Sequence, residues 1–119
     1  MGRDRRICIA EADTGLKSRL QTAIEQSGFA IQAFDSGYGI VAMMDNWPHL
    51  FLIDIELPGI NGIEVCKWLK SHEESRDIPV IFISGDPYRR VLAASAHADD
   101  YIEKPVTYDE LMEKIKDVL

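Results

Sequence analysis

Cysteine is scarce in this chain of 119 residues, and the two present, Cys8 and Cys66, sit in separate apolar segments with no CxxC spacing. That argues against a disulfide framework or a zinc ribbon, and the pair reads as small core residues in a reducing cytoplasm. Histidine is equally thin: His49, His72 and His97 are scattered without ligand-like spacing. An excess of positive charge is lacking too. The formal net charge of −7 and a pI near 4.8 speak against nonspecific binding of nucleic acid or of an anionic membrane. The one basic cluster, Arg3 with Arg5 and Arg6, reads as a solvated chain start. No apolar run is long enough to span a bilayer, and the first residues lack a signal-peptide core. Linkers, repeats and low-complexity stretches are absent, so one domain over residues 1–119 is expected.

What is present is a regular alternation. Arg6 to Ala10 is a short apolar strand. Leu16, Leu20, Ala23 and Ile24 then recur at helical spacing until Gly28. Phe29 to Phe34 reads as a second strand, and Ser36 as the cap of a helix carrying Ile40, Val41 and Met44 that Pro48 stops. Leu50 to Ile53 is strand three, with Ile63, Val65, Cys66 and Leu69 marking the next helix. Pro79 to Ile83 is strand four, and Pro87 stands where a first helical turn begins, ahead of Val91, Leu92 and Ala94 to Ala96. Asp100 to Glu103 is a short fifth strand. Thr107 and Glu110 form a capping-box pattern for a last helix with Leu111, Met112, Ile115 and Val118 inward. Five strands alternating with five helices predict an α/β fold with a parallel sheet, its central strands three and four covered on both faces.

In an open parallel sheet, ligands collect beyond the carboxyl ends of the strands. Strand one ends at Glu11-Ala12-Asp13, strand three at Asp54, strand four at Ser84-Gly85 and strand five at Lys104-Pro105. Each alone has an ordinary explanation: a turn carboxylate, a loop hydroxyl, a solvated ammonium. Together they bring acid, acid, hydroxyl and ammonium onto one edge. The stretch "FLIDIELPGINGIE" sharpens the point, because an apolar strand has no need to end on a carboxylate, and a buried charge is costly without a partner.

With those residues in place, the chain resembles a receiver domain of two-component response regulators over nearly its whole length. The matching stretches are "FLIDIELPGINGIEVCKWLK", "IPVIFISGD" and "DDYIEKPVTYDEL". The resemblance implies a three-layer flavodoxin-like (βα)5 fold with strand order 2-1-3-4-5. It also implies a cytoplasmic signalling module, not an enzyme. Asp54 would accept a phosphoryl group from a histidine kinase or histidine phosphotransfer protein. Ser84 would hydrogen-bond a phosphoryl oxygen and Lys104 would pair with the phosphoryl charge. Ser84 and Tyr101 would form the switch, coupling the site to the face built from about Pro87 to Leu119 and thence to a downstream effector domain or protein. The molecule would be a monomer or a phosphorylation-dependent dimer, with no nucleic acid or membrane bound by this domain. One ammonium and one hydroxyl are little against several acids, so magnesium is the implied third part. Its ligands would be Asp54 and the backbone carbonyl of Glu56, with Glu11 at the end of strand one.

The first strand departs from the family pattern. Receivers usually place two adjacent acids there, the second binding the metal. Here Glu11 falls on the first position and Ala12 on the second, with Asp13 one residue later as a helix cap or a ligand. Two readings stay open. In one, phosphorylation persists with weakened magnesium, the lost ligand being replaced by Glu11, Asp13 or the Glu56 side chain. In the other, the domain is a receiver-like interaction module with impaired or no phosphorylation because of Ala12. A third class, a flavin- or nucleotide-binding enzyme, would need a glycine- or hydroxyl-rich phosphate loop after strand one, where this chain is acidic.

Overall fold

The structure is a computed structural model that describes residues 5–119; Arg3 lies outside them. Among its basic neighbours, the Arg5 and Arg6 guanidiniums donate to the backbone carbonyls of Leu119 and Asn46 and gather at no common anion site. The strands are β1 (Arg6–Ala10), β2 (Ala30–Phe34), β3 (Leu50–Asp54), β4 (Val80–Ser84) and β5 (Asp100–Glu103). They form one parallel sheet in the order β2-β1-β3-β4-β5. The helices are α1 (Thr14–Gln26), α2 (Tyr38–Val41), α3 (Gly62–Lys70), α4 (Arg90–Ser95) and α5 (Tyr108–Val118).

Alternation along the strands splits the interior into two layers. Ile7 and Ile9 of β1, Leu50 and Leu52 of β3, Ile81 and Ile83 of β4 and Ile102 of β5 pack with Leu16, Leu20 and Ile24 of α1 and Leu111, Met112 and Ile115 of α5. Cys8 and Ala10, Phe51 and Ile53, Val80 and Phe82, and Tyr101 pack on the other side with Ile40, Val65, Cys66, Leu69 and Ala93. Both faces of β3 and β4 are therefore covered, which is why those strands read as unbroken apolar runs. The same parity puts position 54 on the α1–α5 side with positions 50 and 52. Positions 84 and 101 fall on the opposite side. Both cysteines are buried and unpaired, and burial pushes their thiols up to about 12 for Cys8 and about 11 for Cys66. They act as core residues.

Several elements differ from expectation. The second helix is a single turn, Tyr38–Val41, capped by Gly37 with no side-chain bond, so Ser36 is not its cap. Past Val41 the chain leaves the helix, burying Met43 and leaving Met44 88 % exposed. Without a capping hydroxyl, and with Gly37 at its cap and Gly39 in its single turn, this segment has little local reason to extend. On α3 the structure has a reciprocal capping box, Asn61 with Glu64, that the sequence reading passed over. Gly62 opens that helix because a Cβ there would run into the Asp54 carbonyl oxygen and the Ile55 backbone. The close approach seats α3 directly against the end of β3. Pro87 begins a 3-10 turn, Pro87–Arg89, ahead of α4, and α4 buries Ala93 while Val91 stays 76 % exposed.

His97 leaves α4 with φ +63, in the left-handed region that disfavours a side chain. His97→Gly is therefore expected to stabilise the fold by about 0.5–1 kcal/mol, the relief of left-handed strain less the extra chain entropy of glycine. Urea unfolding of the two chains measures it, and an unchanged midpoint would show that the imidazole compensates through contacts of its own.

Candidate functional site

Asp54 closes β3, and its carboxylate is held in place from two sides. Oδ1 accepts the Glu56 backbone N–H at 2.9 Å, and Oδ2 accepts from Lys104 Nζ at 3.1 Å. The residue is 3 % exposed, a buried acid with a specific cation beside it. Lys104 arrives from the end of β5, where its own backbone N–H donates to the Ser84 carbonyl at 2.8 Å. Burial alone would draw its ammonium pKa down, but the hydrogen bond and charge of Asp54, with Glu11 behind, outweigh it and hold the ammonium above its usual range.

Glu11 follows β1 and is 1 % exposed. Its Oε2 accepts the Asp13 backbone N–H at 3.0 Å. Its Oε1 lies 3.3 Å from Lys104 Nζ, close enough for charge attraction, yet has no hydrogen-bond partner. Burial first, then the neighbouring Asp54 carboxylate, pushes its pKa up to about 7. Two carboxylates thus share one ammonium, and Glu11 Oε1 meets it by charge, without a hydrogen bond.

Asp13 does not join them. Its Oδ1 accepts the Leu16 N–H at 3.0 Å, capping α1, and that bond holds its carboxyl below the usual range. The cap engages Oδ1 at the start of α1, and the Lys104 charge also acts on this carboxyl. Ala12 lies exposed between Glu11 and Asp13.

On the other side of the sheet, Ser84 ends β4 fully buried. Its hydroxyl donates to Glu56 Oε2 at 2.6 Å, and the Gly85 N–H donates to Glu56 Oε1 at 2.9 Å. The Glu56 carboxylate is therefore engaged with β4 and does not turn toward Glu11. Arg89 Nε stands 3.9 Å from Glu56 Oε2 and 3.4 Å from Asp86 Oδ2. Tyr101 of β5 is buried at 5 % exposure, its hydroxyl donating to the Asp86 carbonyl at 3.0 Å with the Arg90 guanidinium over its ring at 5.3 Å. Sequence reasoning named Gly85 only as the residue after Ser84 and gave no role to Asp86, Arg89 and Arg90. An aspartate before Pro87 was a visible capping signal, and Asp86 does cap the 3-10 turn; the contacts of Arg89 and Arg90 depend on a fold no local pattern encodes.

A family model for the response regulator receiver domain matches residues 7–116. The chain belongs to that family. As a receiver it is similar to the phosphate regulon transcriptional regulatory protein PhoB of Escherichia coli (strain K12), with 36 % identity over 118 residues, 97 % of this chain and 52 % of that protein. The chain thus spans about half the length of the curated relatives it matches. Among solved structures, a putative response regulator from Chloroflexus aurantiacus J-10-fl superposes with a TM-score of 0.91 at 25 % identity, covering 96 % of each chain. The response regulator protein TrrA from Thermotoga maritima, solved in complex with magnesium and beryllium fluoride, gives 0.87 at 27 % identity over 97 % of this receiver and 99 % of TrrA. Receivers of response regulators are signalling modules that work between histidine kinases and effectors, and magnesium binding is typical of them.

Among the described residues no helix is long and apolar enough to cross a membrane, and no group of three or more His, Cys, Asp or Glu side chains stands ready for a metal. The donors at the edge are two carboxylates, Glu11 and Asp54. The buried Glu11 Oε1, without a hydrogen bond and with only the Lys104 charge beside it, is the observation that bears on whether a cation fits. Two hard carboxylate donors, one of them with an oxygen that makes no hydrogen bond, suit a small divalent cation that takes few carboxylates and keeps several waters. The residues fit magnesium.

Proposed function

We propose that this receiver accepts a phosphoryl group on Asp54 from a phosphohistidine of a kinase or phosphotransfer protein. The supporting observation is the Asp54 carboxylate, buried, fixed by the Glu56 amide and paired with Lys104, on the rim where β4 also ends at Ser84 and Gly85. One carboxylate oxygen attacks phosphorus, a P–O bond forms, and the P–N bond to the donor imidazole breaks, its electron pair leaving with the nitrogen. Lys104 offsets charge on the transferring oxygens, while the Ser84 hydroxyl and the Gly85 amide supply hydrogen bonds. Magnesium, when bound, neutralises phosphoryl charge; Glu11, Asp54 and the backbone carbonyl of Glu56 would hold it.

The output would run through Ser84 and Tyr101, which share one face of the sheet, to α4, β5 and α5 and on to an effector. PhoB is by its name a transcriptional regulator, so an effector that controls transcription is one fitting destination.

Acetyl phosphate supplies the test. Incubated with it and magnesium, the native chain should gain one phosphoryl group by mass, and Asp54→Asn none. An unlabelled native chain at tens of millimolar magnesium would overturn the assignment.

A further inference from the structure

Glu56 is the residue the phosphoacceptor reading leaves unexplained. That reading uses only its backbone carbonyl, yet its side chain makes the shortest polar contact at the site, 2.6 Å from the Ser84 hydroxyl, and takes the Gly85 amide as well. Those are the two donors at the end of β4 that a phosphoryl group on Asp54 would need. They are held by an anionic carboxylate, with two oxygens on two donors, much as phosphoryl oxygens would sit.

We infer that the Glu56 carboxylate is an internal occupant of the phosphoryl-oxygen seat, holding Ser84 so that Tyr101 packs inward before any phosphoryl transfer, and that an incoming phosphoryl group must displace it. The inference rests on Asp54 being the acceptor. Its holding half stands on geometry alone. Ser84 Oγ donates to Glu56 and accepts the Asp86 N–H at 3.0 Å, and the Tyr101 hydroxyl donates to the Asp86 carbonyl. Glu56, Ser84, Asp86 and Tyr101 are one connected chain of hydrogen bonds. Its displacement half follows from charge: a carboxylate and a phosphoryl group cannot share two donors without repelling each other. Arg89, 3.9 Å from Oε2, gives the displaced carboxylate a place to go. The switch is thus biased toward its inward arrangement at rest, and phosphorylation carries the added cost of expelling Glu56.

Three chains test this: native, Glu56→Gln and Glu56→Ala. All keep the backbone carbonyl, and the side chain is part-exposed, so the fold is not at stake. The first readout needs neither phosphate nor metal. Tyrosine ring resonances, assigned with Tyr101→Phe, should show Tyr101 inward in the native chain and shifted toward a solvent-exposed ring in Glu56→Ala, with Glu56→Gln between because its amide keeps one acceptor. The second readout is the initial rate of labelling by acetyl phosphate at saturating magnesium, expected to rise about tenfold in Glu56→Ala, the effect of removing roughly 1.4 kcal/mol of like-charge repulsion. A Tyr101 resonance unmoved in Glu56→Ala overturns the holding role, and an unchanged rate overturns the displacement. If no chain is labelled, native included, the acceptor assignment fails, and the Tyr101 readout alone then decides the holding role.

Discussion

Ala12→Asp is expected to bind magnesium about ten- to a hundred-fold more tightly than the native chain, the range by which a missing metal-supporting group usually changes affinity. Position 12 directly follows Glu11 at the mouth of the sheet and is exposed, so a short carboxylate fits without displacing core atoms. The native edge offers Glu11 and Asp54, and Asp13 is committed to capping α1 through Leu16. A third acid raises the negative charge facing the cation and adds a hard oxygen ligand. The same change should cost stability in metal-free buffer, because Lys104 already balances two carboxylates. Magnesium titration followed by the fluorescence of Trp47 and Trp68, or by calorimetry, gives the ratio. Equal affinities would show that Ala12 faces away from the cation and that the departure at the end of β1 has no consequence for the metal.

The acids of that edge could be read from the sequence because a parallel sheet lays its strand ends side by side. Once β1, β3, β4 and β5 were recognised by their apolar runs, positions 11, 54, 84 and 104 had to lie along one rim. Strand edges were legible to within a residue for the same reason: Val80 and Asp54 sit where apolar pairing begins and ends. What stayed hidden depends on distance across the fold. Glu56 looks like any turn acid in "DIELPG", and nothing local says that its side chain crosses to β4. The Asn61–Glu64 box was hidden behind a glycine at the first helical position, which argues against a helix start until the approach to the Asp54 carbonyl explains it. The single turn of α2 follows from its missing capping hydroxyl and its glycines, the burial of Met43 then sets the path of the chain, and no periodicity in four residues can announce that.

Lys104→Met is expected to destabilise the metal-free chain by about 2–3 kcal/mol at pH 8, somewhat less than the loss of one partner from a fully buried ion pair because the ammonium is partly exposed. Methionine keeps the aliphatic stem and removes only the charge, so Glu11 and Asp54 are left facing each other without a cation. The pH dependence carries the argument further. The Glu11 pKa is raised from 4.5 to about 7, so the folded state holds its proton more tightly than the unfolded state does. Its contribution to stability is then full below the ordinary carboxylate value and is lost as pH rises through about 7. Without Lys104 that pKa moves higher still, since the ammonium is one of the groups pulling it down. Urea stability of Lys104→Met should therefore lie closer to the native value near pH 5, where only the Asp54 contact is lost, and fall further below it toward pH 8, while Glu11→Gln flattens the slope in both backgrounds. Magnesium at pH 8 should recover part of the loss by binding the folded state alone. Parallel curves for the two chains from pH 5 to 8 would mean that the three charges do not act as one cluster, and the electrostatic basis for a reactive Asp54 would go with it.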